Sequence, residues 1–387
     1  MIDPPLARQI VERTMKIIPF SVNVMDARGT IIASGTPERI GSNHPGAQLA
    51  LARRATVEID DTNMAHLHGA KPGINLLLAV RGDICGVLGL TGDPDQVRQF
   101  AELVRLTAEM ILEQARLTAE LQREKRYREE FVFQLVHRTG VSDASMAAWA
   151  ARLAIDVRLA RAVFLLEVSG VSHRMDLVLS DLQHVQAALA QRWPELLTAV
   201  VSPGELVMLE GFDTADAPQS RAQRARKRLH ELHEVIRLLL PFASTLSMGV
   251  ALPGLDGAAA SYESARRAAR VGRQRNPAAS VFSYFELHLP VLLSDLQSGW
   301  QAEQLRQTLR RLKAYDRKSG MLVKTLASWF RHNNHPALTA QALHIHRNTL
   351  DYRLQKIGEL TGLDLGTTDD RLMLYIALQI DLDDADQ

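Results

Sequence analysis

The stretch "ALTAQALHIHRNTLDYRLQKIGELTG", Ala337–Gly362, decides how the C-terminal part of this chain is read. Apolar residues recur through it at helical spacing. The run is broken once, at His344-Ile345-His346, and Arg347 and Asn348 follow the break. With Leu350 at the centre of a buried face and ~100° per residue, Leu354 and Ile357 fall within about 40° of it. Asn348, Tyr352 and Gln355 then occupy the opposite face. Thr349 and Asp351 flank that face, and Arg347 opens the first turn. Amide and guanidinium side chains of this kind pair with base edges, Asn and Gln with adenine and Arg with guanine. The preceding short helix is expected to bury Leu338, Ala342 and Leu343. Helix, tight turn and second helix with a polar outer face make the helix-turn-helix plan, whose second helix enters the major groove N-terminus first. Two local features run against it. His346 is not a preferred cap, and the turn has no glycine. On those alone the stretch reads as two antiparallel helices of an ordinary bundle.

Working outward, the segments around this stretch, over 300–387, all show the helical period. In the last of them Thr367 or Thr368 is placed to cap, and Asp369 and Asp370 to oppose the positive helix end. Upstream, over 138–292, strand signals ("ARAVFLLEVSG", "TAVVSPGELVMLEG", "STLSMGVALPG") alternate with helical ones, which argues for an α/β middle domain. Its basic runs, Arg221–Arg228 and Arg266–Arg275, read as solvated faces of amphipathic helices rather than nucleic-acid contacts. A helix over 96–137 carries no Gly or Pro. Phe100, Leu103, Thr107, Met110, Gln114, Leu117 and Leu121 follow a coiled-coil seam with two polar interruptions. A homodimer or higher oligomer joined along this helix is expected. The first ~95 residues give two hairpins, turning near Asp26–Gly29 and Arg81–Asp83, with intervening helices. That predicts a small α+β sensor, a sheet with helices on one side, in the manner of PAS and GAF domains. The fold class is therefore multidomain α+β: sensor (1–95), linker helix (96–137), α/β middle domain and all-α helix-turn-helix domain.

Composition sets the outer bounds. A chain of 387 residues is too long for one core and fits two to four domains. A net charge of +1 neither marks nor excludes a nucleic-acid binder, because local patches decide. The single cysteine, Cys85, has no partner for an internal disulfide, which suits a reducing compartment. The start "MIDPPLARQI" lacks a signal-peptide pattern, and no apolar run approaches the ~20 residues of a membrane helix. A cytoplasmic protein with no membrane partner is expected. An enzyme acting on a small carboxylate is the main competing class. The chain shows no Gly-x-Ser-x-Gly elbow, P-loop or metal-ligand cluster, so no catalytic residue, metal or cofactor is expected. A coiled-coil scaffold is the third class.

Longer motifs add a resemblance. "LHIHRNTLDYRLQKIGELTGLDL" resembles the C-terminal helix-turn-helix of purine-catabolism-regulator-type bacterial transcription factors. "NVMDARGTIIASG", "RIG..H.GA", "HLHG...GINL" and "GVLGLTG" are similar to the sugar diacid recognition domain. With both ends in this order the chain resembles the carbohydrate diacid regulator family. The middle is similar to the degenerate cyclase-like domain of such regulators and lacks the Gly-Gly-acidic-acidic-Phe signature, so no cyclase activity is implied. One departure is Leu77, where the family pattern has proline; a changed local loop is expected there. The resemblance implies an activator of genes for glucarate, galactarate and glycerate use. Its partners would be a double-stranded DNA operator, a sugar diacid or glycerate, and the transcription machinery.

A sugar diacid needs two anion subsites with polar partners between them. Arg39 offers a fork matched to carboxylate. Gly41 and Gly46 allow close backbone approach, His44 stands between them, and a helix from about Ala47 is expected to present free amides. The second cluster, "HLHGAKPGIN", offers His68, Lys71 and Asn75 as donors, with Gly73 permitting approach and Asn75 suited to a hydroxyl. Each has a plain alternative: Arg39 paired with Glu38, Lys71 solvated. His66 and His68 have no third metal ligand near. Two loops rich in Gly and His beside rigid hairpins favour a binding site.

Overall fold

The structure is a computed structural model that describes residues 2–60, 71–169, 175–215, 217–297 and 299–384. The chain forms two compact units, Met1–Arg126 and Tyr127–Gln387.

The first unit runs α1 (Pro4–Met15), β1 (Ser21–Met25), β2 (Ile31–Ser34), a 3-10 turn (Pro37–Arg39), α2 (Pro45–Arg53), β3 (Val57–Ile59), β4 (Gly73–Val80), β5 (Asp83–Thr91) and the first part of α3 (Pro94–His137). The strands make one antiparallel sheet in the order β2-β1-β5-β4-β3. The β4–β5 hairpin turns through Arg81 and Gly82, both at positive φ (53° and 88°), as a two-residue turn between twisted strands requires. On one face Val22, Val24, Ile74, Leu76, Leu78, Leu88 and Leu90 pack against α1 and the first turns of α3. On the other, Met25, Ile31, Val57, Ile59 and Val87 pack against Ala47 and Ala50 of α2. Helices therefore cover both faces, not one. The near-continuous apolar runs of β4 and β5 are the sequence sign of a sheet buried on both sides. Leu77 is likewise not in a loop. It lies in mid-strand opposite Val87, half-buried under α2.

α3 belongs to two cores. Val97, Ala101, Val104, Ala108, Ile111 and Leu112 enter the first unit's core. Phe131, Val132, Leu135 and Val136, further along the helix, enter a core of the second unit. Arg105 bridges Glu102 and Glu109, and Arg116 bridges Glu113 and Glu120, at the helical spacings that support an exposed helix.

The second unit continues α4 (Asp143–Arg152), β6 (Arg161–Val168), α5 (Met175–Arg192), β7 (Leu197–Ser202), β8 (Glu205–Gly211), α6 (Pro218–Leu239), β9 (Ser244–Met248), α7 (Leu255–Arg275), β10 (Val281–Ser283) and α8 (Tyr284–Leu293). The sheet order is β10-β9-β6-β8-β7, with only β9 and β10 parallel. β6 shows why it is central. Ala162, Phe164 and Leu166 face α5 and α6, while Val163 and Leu165 face the end of α3, α4 and α7.

The chain ends in five helices: α9 (Gly299–Asp316), α10 (Met321–Arg331), α11 (Pro336–Ala342), α12 (Arg347–Thr361) and α13 (Thr368–Asp384). Leu309, Leu312, Leu322, Leu326, Ile357, Leu374 and Leu378 form their core. Among the described residues no helix is long and apolar enough to cross a membrane.

Candidate functional site

α12 starts directly after the turn and is held from below. Leu350 and Ile357 are fully buried, and Leu350 packs with Trp329, Ala340 and half-buried Leu354. Arg353 donates Nη1 to Thr325 Oγ1 of α10 at 3.2 Å and fixes the roll of the helix. Arg347, Asn348, Thr349, Asp351, Tyr352 and Gln355 are all exposed, Tyr352 at 65%. The Arg347 guanidinium stands 3.9 Å from the Asp351 carboxylate, one turn on. Gln355 Nε2 lies 3.5 Å from Glu359 Oε1, so its amide is only loosely held.

The turn solves its two sequence problems with histidine. His344 takes the left-handed conformation (φ 53°) that glycine usually supplies, and Ile345 N–H closes back on Ala340 O at 3.0 Å. His346 is the cap: its Nδ1 accepts from Asn348 N–H at 3.2 Å. His335 caps α11 in the same way, its Nδ1 3.5 Å from Leu338 N. The burial expected for α11 is corrected. Leu338 (50% exposed) and Ala342 face outward, whereas Thr339, Ala340 and partly Leu343 face the core. The helix has only two turns, and its roll is set by Trp329, Leu350 and Leu354, which lie in other elements.

The basic runs of the middle domain are largely neutralised. Arg226 pairs with Glu286, Arg228 with Glu210 and Glu231, Arg267 with Asp295, and Arg273 with Glu167. On the open helix-turn-helix face the exposed Arg347 has only its own-helix neighbour Asp351, at 3.9 Å, as an ion-pair partner among the described residues.

In the first unit the predicted anion residues divide. Arg39 ends the 3-10 turn, half-buried, with no side-chain ion pair among the described residues. Gly41 sits at φ 87° with open space where a side chain would be. His44 does not act as a cationic donor. It is 5% exposed, and its Nδ1 accepts from Ala47 N–H at 3.2 Å to cap α2. Burial, with the Arg39 cation second, pushes its imidazole down to about 4, so the ring is neutral at pH 7 and only Nε2–H is left to donate. The free amides expected at α2 are also corrected. Pro45 has no N–H, Ala47 N–H goes to His44 Nδ1, and Gln48 N–H goes to His44 O. Gly46 N–H is what remains in that turn. Gly46 itself packs on the sheet: a Cβ there would lie 2.6 Å from Asn75 Nδ2. Gly73 is demanded by its own sheet, because a Cβ would meet Leu90 O at 2.0 Å. Lys71 is exposed, and His68 lies outside the described residues. Among the described residues no three His, Cys, Asp or Glu side chains are placed to hold a metal ion.

Asn75 is the exception in hydrogen bonding. It is 2% exposed, and its Oδ1 has no hydrogen-bond partner. Sequence reading missed its counterpart, Asn23 of β1, which is 1% exposed and faces the same side of the sheet. The signal was present in "SVNVM": an amide between two valines that face the opposite core.

Three family models match successive parts of the chain. The model described as "Putative sugar diacid recognition" matches residues 2–135, a GGDEF-like domain matches 138–271, and the PucR C-terminal helix-turn-helix domain matches 322–380. The chain is 45% identical over 384 residues to the carbohydrate diacid regulator of Escherichia coli K12, covering 98% of each. It is 34% identical to an uncharacterized protein of Haemophilus influenzae, over 97% of this chain and 98% of that one. Over about half of each chain (52% and 47%) it is 25% identical to the DNA-binding transcriptional activator AdeR of Bacillus subtilis.

Proposed function

The chain belongs to the carbohydrate diacid regulator family, and on that premise we propose that it is a transcriptional activator controlled by a sugar diacid or glycerate. The acid binds in the first unit, and α12 reads an operator. The observation that carries the reading is α12 itself. Leu350 and Ile357 of its apolar stripe are fully buried while six polar side chains stand exposed at and beyond a capped N-terminus. Arg347, Asn348, Thr349, Asp351, Tyr352 and Gln355 are assigned to base and phosphate contacts. The GGDEF-like middle domain transmits and does not catalyse.

Arg39 supplies the carboxylate fork, with His44 Nε2–H and Gly46 N–H beside it and Asn75 for a hydroxyl. Gly41 gives the backbone its turn at Arg39. Lys71 contributes charge at the rim. Neutral His44 suits this role, since its hydrogen on Nε2 persists while Nδ1 is engaged. The exposed side of α3 carries Leu103 (51%), Met110 (67%), Leu117 (44%) and Leu121 (68%) along one seam. A second copy of the chain covers that seam and brings two copies of α12 to a two-part site, about 34 Å apart. By preferring one sensor conformation, the acid biases a two-state equilibrium that α3 carries onward.

Thermal shift on the full chain tests the sensor half. Galactarate or glycerate raises the melting temperature of the wild type, and Arg39→Ala loses that response. An unchanged response in Arg39→Ala removes Arg39 from the site.

A further inference from the structure

One row of the first sheet is chemically out of place. In register across it stand Ser34, Asn23, Gly89, Asn75 and Val57. Directly paired residues share a face, and Val57 and its neighbours put this face under α2. The row on one side of it, Met25, Val87 and Leu77, is apolar as a covered face should be. The row on the other side runs Ser21, Thr91, Gly73 and Ile59, small or polar except for Ile59 at the β3 edge.

The two asparagines differ in state. Asn23 is fixed: Ser34 Oγ donates to its Oδ1 at 2.6 Å, and its Nδ2 donates to Thr91 Oγ1 at 3.3 Å. Ser34 Oγ in turn accepts from Thr36 N–H at 2.9 Å. One N–H and one lone pair of the Asn23 amide remain unused by these bonds. Asn75, on the far side of Gly89, is buried with Oδ1 unpartnered. A Cβ on Gly89 would lie 3.4 Å from that Oδ1 and 3.8 Å from Asn23 Cβ, so the orphan atom hangs over the glycine towards Asn23. If the amide is turned over, an N–H faces the same place. A buried polar atom without a partner is costly, and such atoms persist where something else completes them.

We propose that Asn23 and Asn75, on either side of Gly89, bind the hydroxyl groups of the sensed acid and so select hydroxylated acids over plain dicarboxylates. A hydroxyl both donates and accepts. It satisfies Asn75 Oδ1 with its hydrogen and takes the spare Asn23 N–H on its oxygen. Glycine at 89 leaves the floor between the amides open. An acid without hydroxyls leaves Asn75 unpaired and carries that loss into its affinity. The proposal rests on the reading that this unit binds a sugar acid.

The test is titration of the full chain with galactarate and with adipate, a diacid of the same carbon count with no hydroxyls, followed by calorimetry and thermal shift. Wild type prefers galactarate. Asn75→Leu weakens galactarate about tenfold or more and narrows its advantage over adipate. The unliganded variant melts no lower than wild type, because leucine removes an unpaired polar atom. Gly89→Ala, whose methyl would stand 3.3 Å from Met25 Cε and 3.4 Å from Asn75 Oδ1, also weakens galactarate by occupying the floor. It keeps the test open if Asn75→Leu fails to fold. A wild-type preference for galactarate that survives in either folded variant overturns the proposal. A wild type that binds neither acid overturns the sensor reading beneath it.

Discussion

At the scale of single residues, four histidines of this chain do backbone jobs. They cap α2, α11 and α12 through Nδ1 and supply a left-handed residue at 344. A left-handed β-carbon costs roughly 1 kcal/mol, so His344→Gly should stabilise the C-terminal bundle by about 0.5–1 kcal/mol in urea unfolding. A loss of stability instead would mean that the His344 ring makes contacts that matter more than its backbone. His44 gives a pH dependence with a defined sign. Its folded value, about 4, lies below the ordinary 6.5, so the unfolded chain takes the proton first as pH falls. The stabilisation is complete above about pH 6.5 and disappears as pH falls towards 4, at up to about 1.4 kcal/mol per pH unit. His44→Asn keeps a capping oxygen and should flatten that slope for the first unit's transition; an unaltered slope would place its origin elsewhere. None of these roles was legible in the sequence. Histidine is a poor cap on average, and whether its ring can accept depends on burial and on local backbone that only the fold supplies.

At the scale of elements, the long regular pieces were legible and the short or shared ones were not. The hairpins announce themselves by Asp26–Gly29 and Arg81–Gly82, and α3 by its lack of breakers. The helix α2 was expected from about Ala47, but its place on the opposite face of the sheet was missed, because nine residues do not tell which face they cover. The roll of α11 was misjudged because seven residues are too few for periodicity to outweigh tertiary contacts. In the sensor, Arg39 and Asn75 were singled out by residue type, whereas Asn23 needed the register that sets it beside Gly89. The exposed seam of α3 belongs to this scale too. Leu103→Lys with Met110→Lys adds like charge where a partner helix would pack, and both positions face away from the core. Light scattering should show the dimer giving way to monomer with helix content kept. A double variant that keeps the wild-type mass would move the interface off α3.

At the scale of the whole molecule, α3 runs unbroken from the core of one unit into the core of the other. In the proposed reading the acid acts on the first unit and DNA on the second, and residues 113–130 of α3 are the covalent link between the two cores. The basic runs of the middle domain are largely taken up by Glu210, Glu231, Glu286, Asp295 and Glu167. In the proposed reading specific recognition is therefore assigned to α12, with phosphate contacts adding a salt-dependent background. Selection from a randomised duplex pool tests this most directly, using the intact chain with galactarate present. The wild type should enrich a two-part sequence with half-sites about one helical turn apart. The folded Asn348→Ala, Tyr352→Ala chain should enrich none and keep only salt-sensitive, sequence-independent binding. Enrichment of the same sequence by both chains would contradict the assignment of α12 as the reading helix.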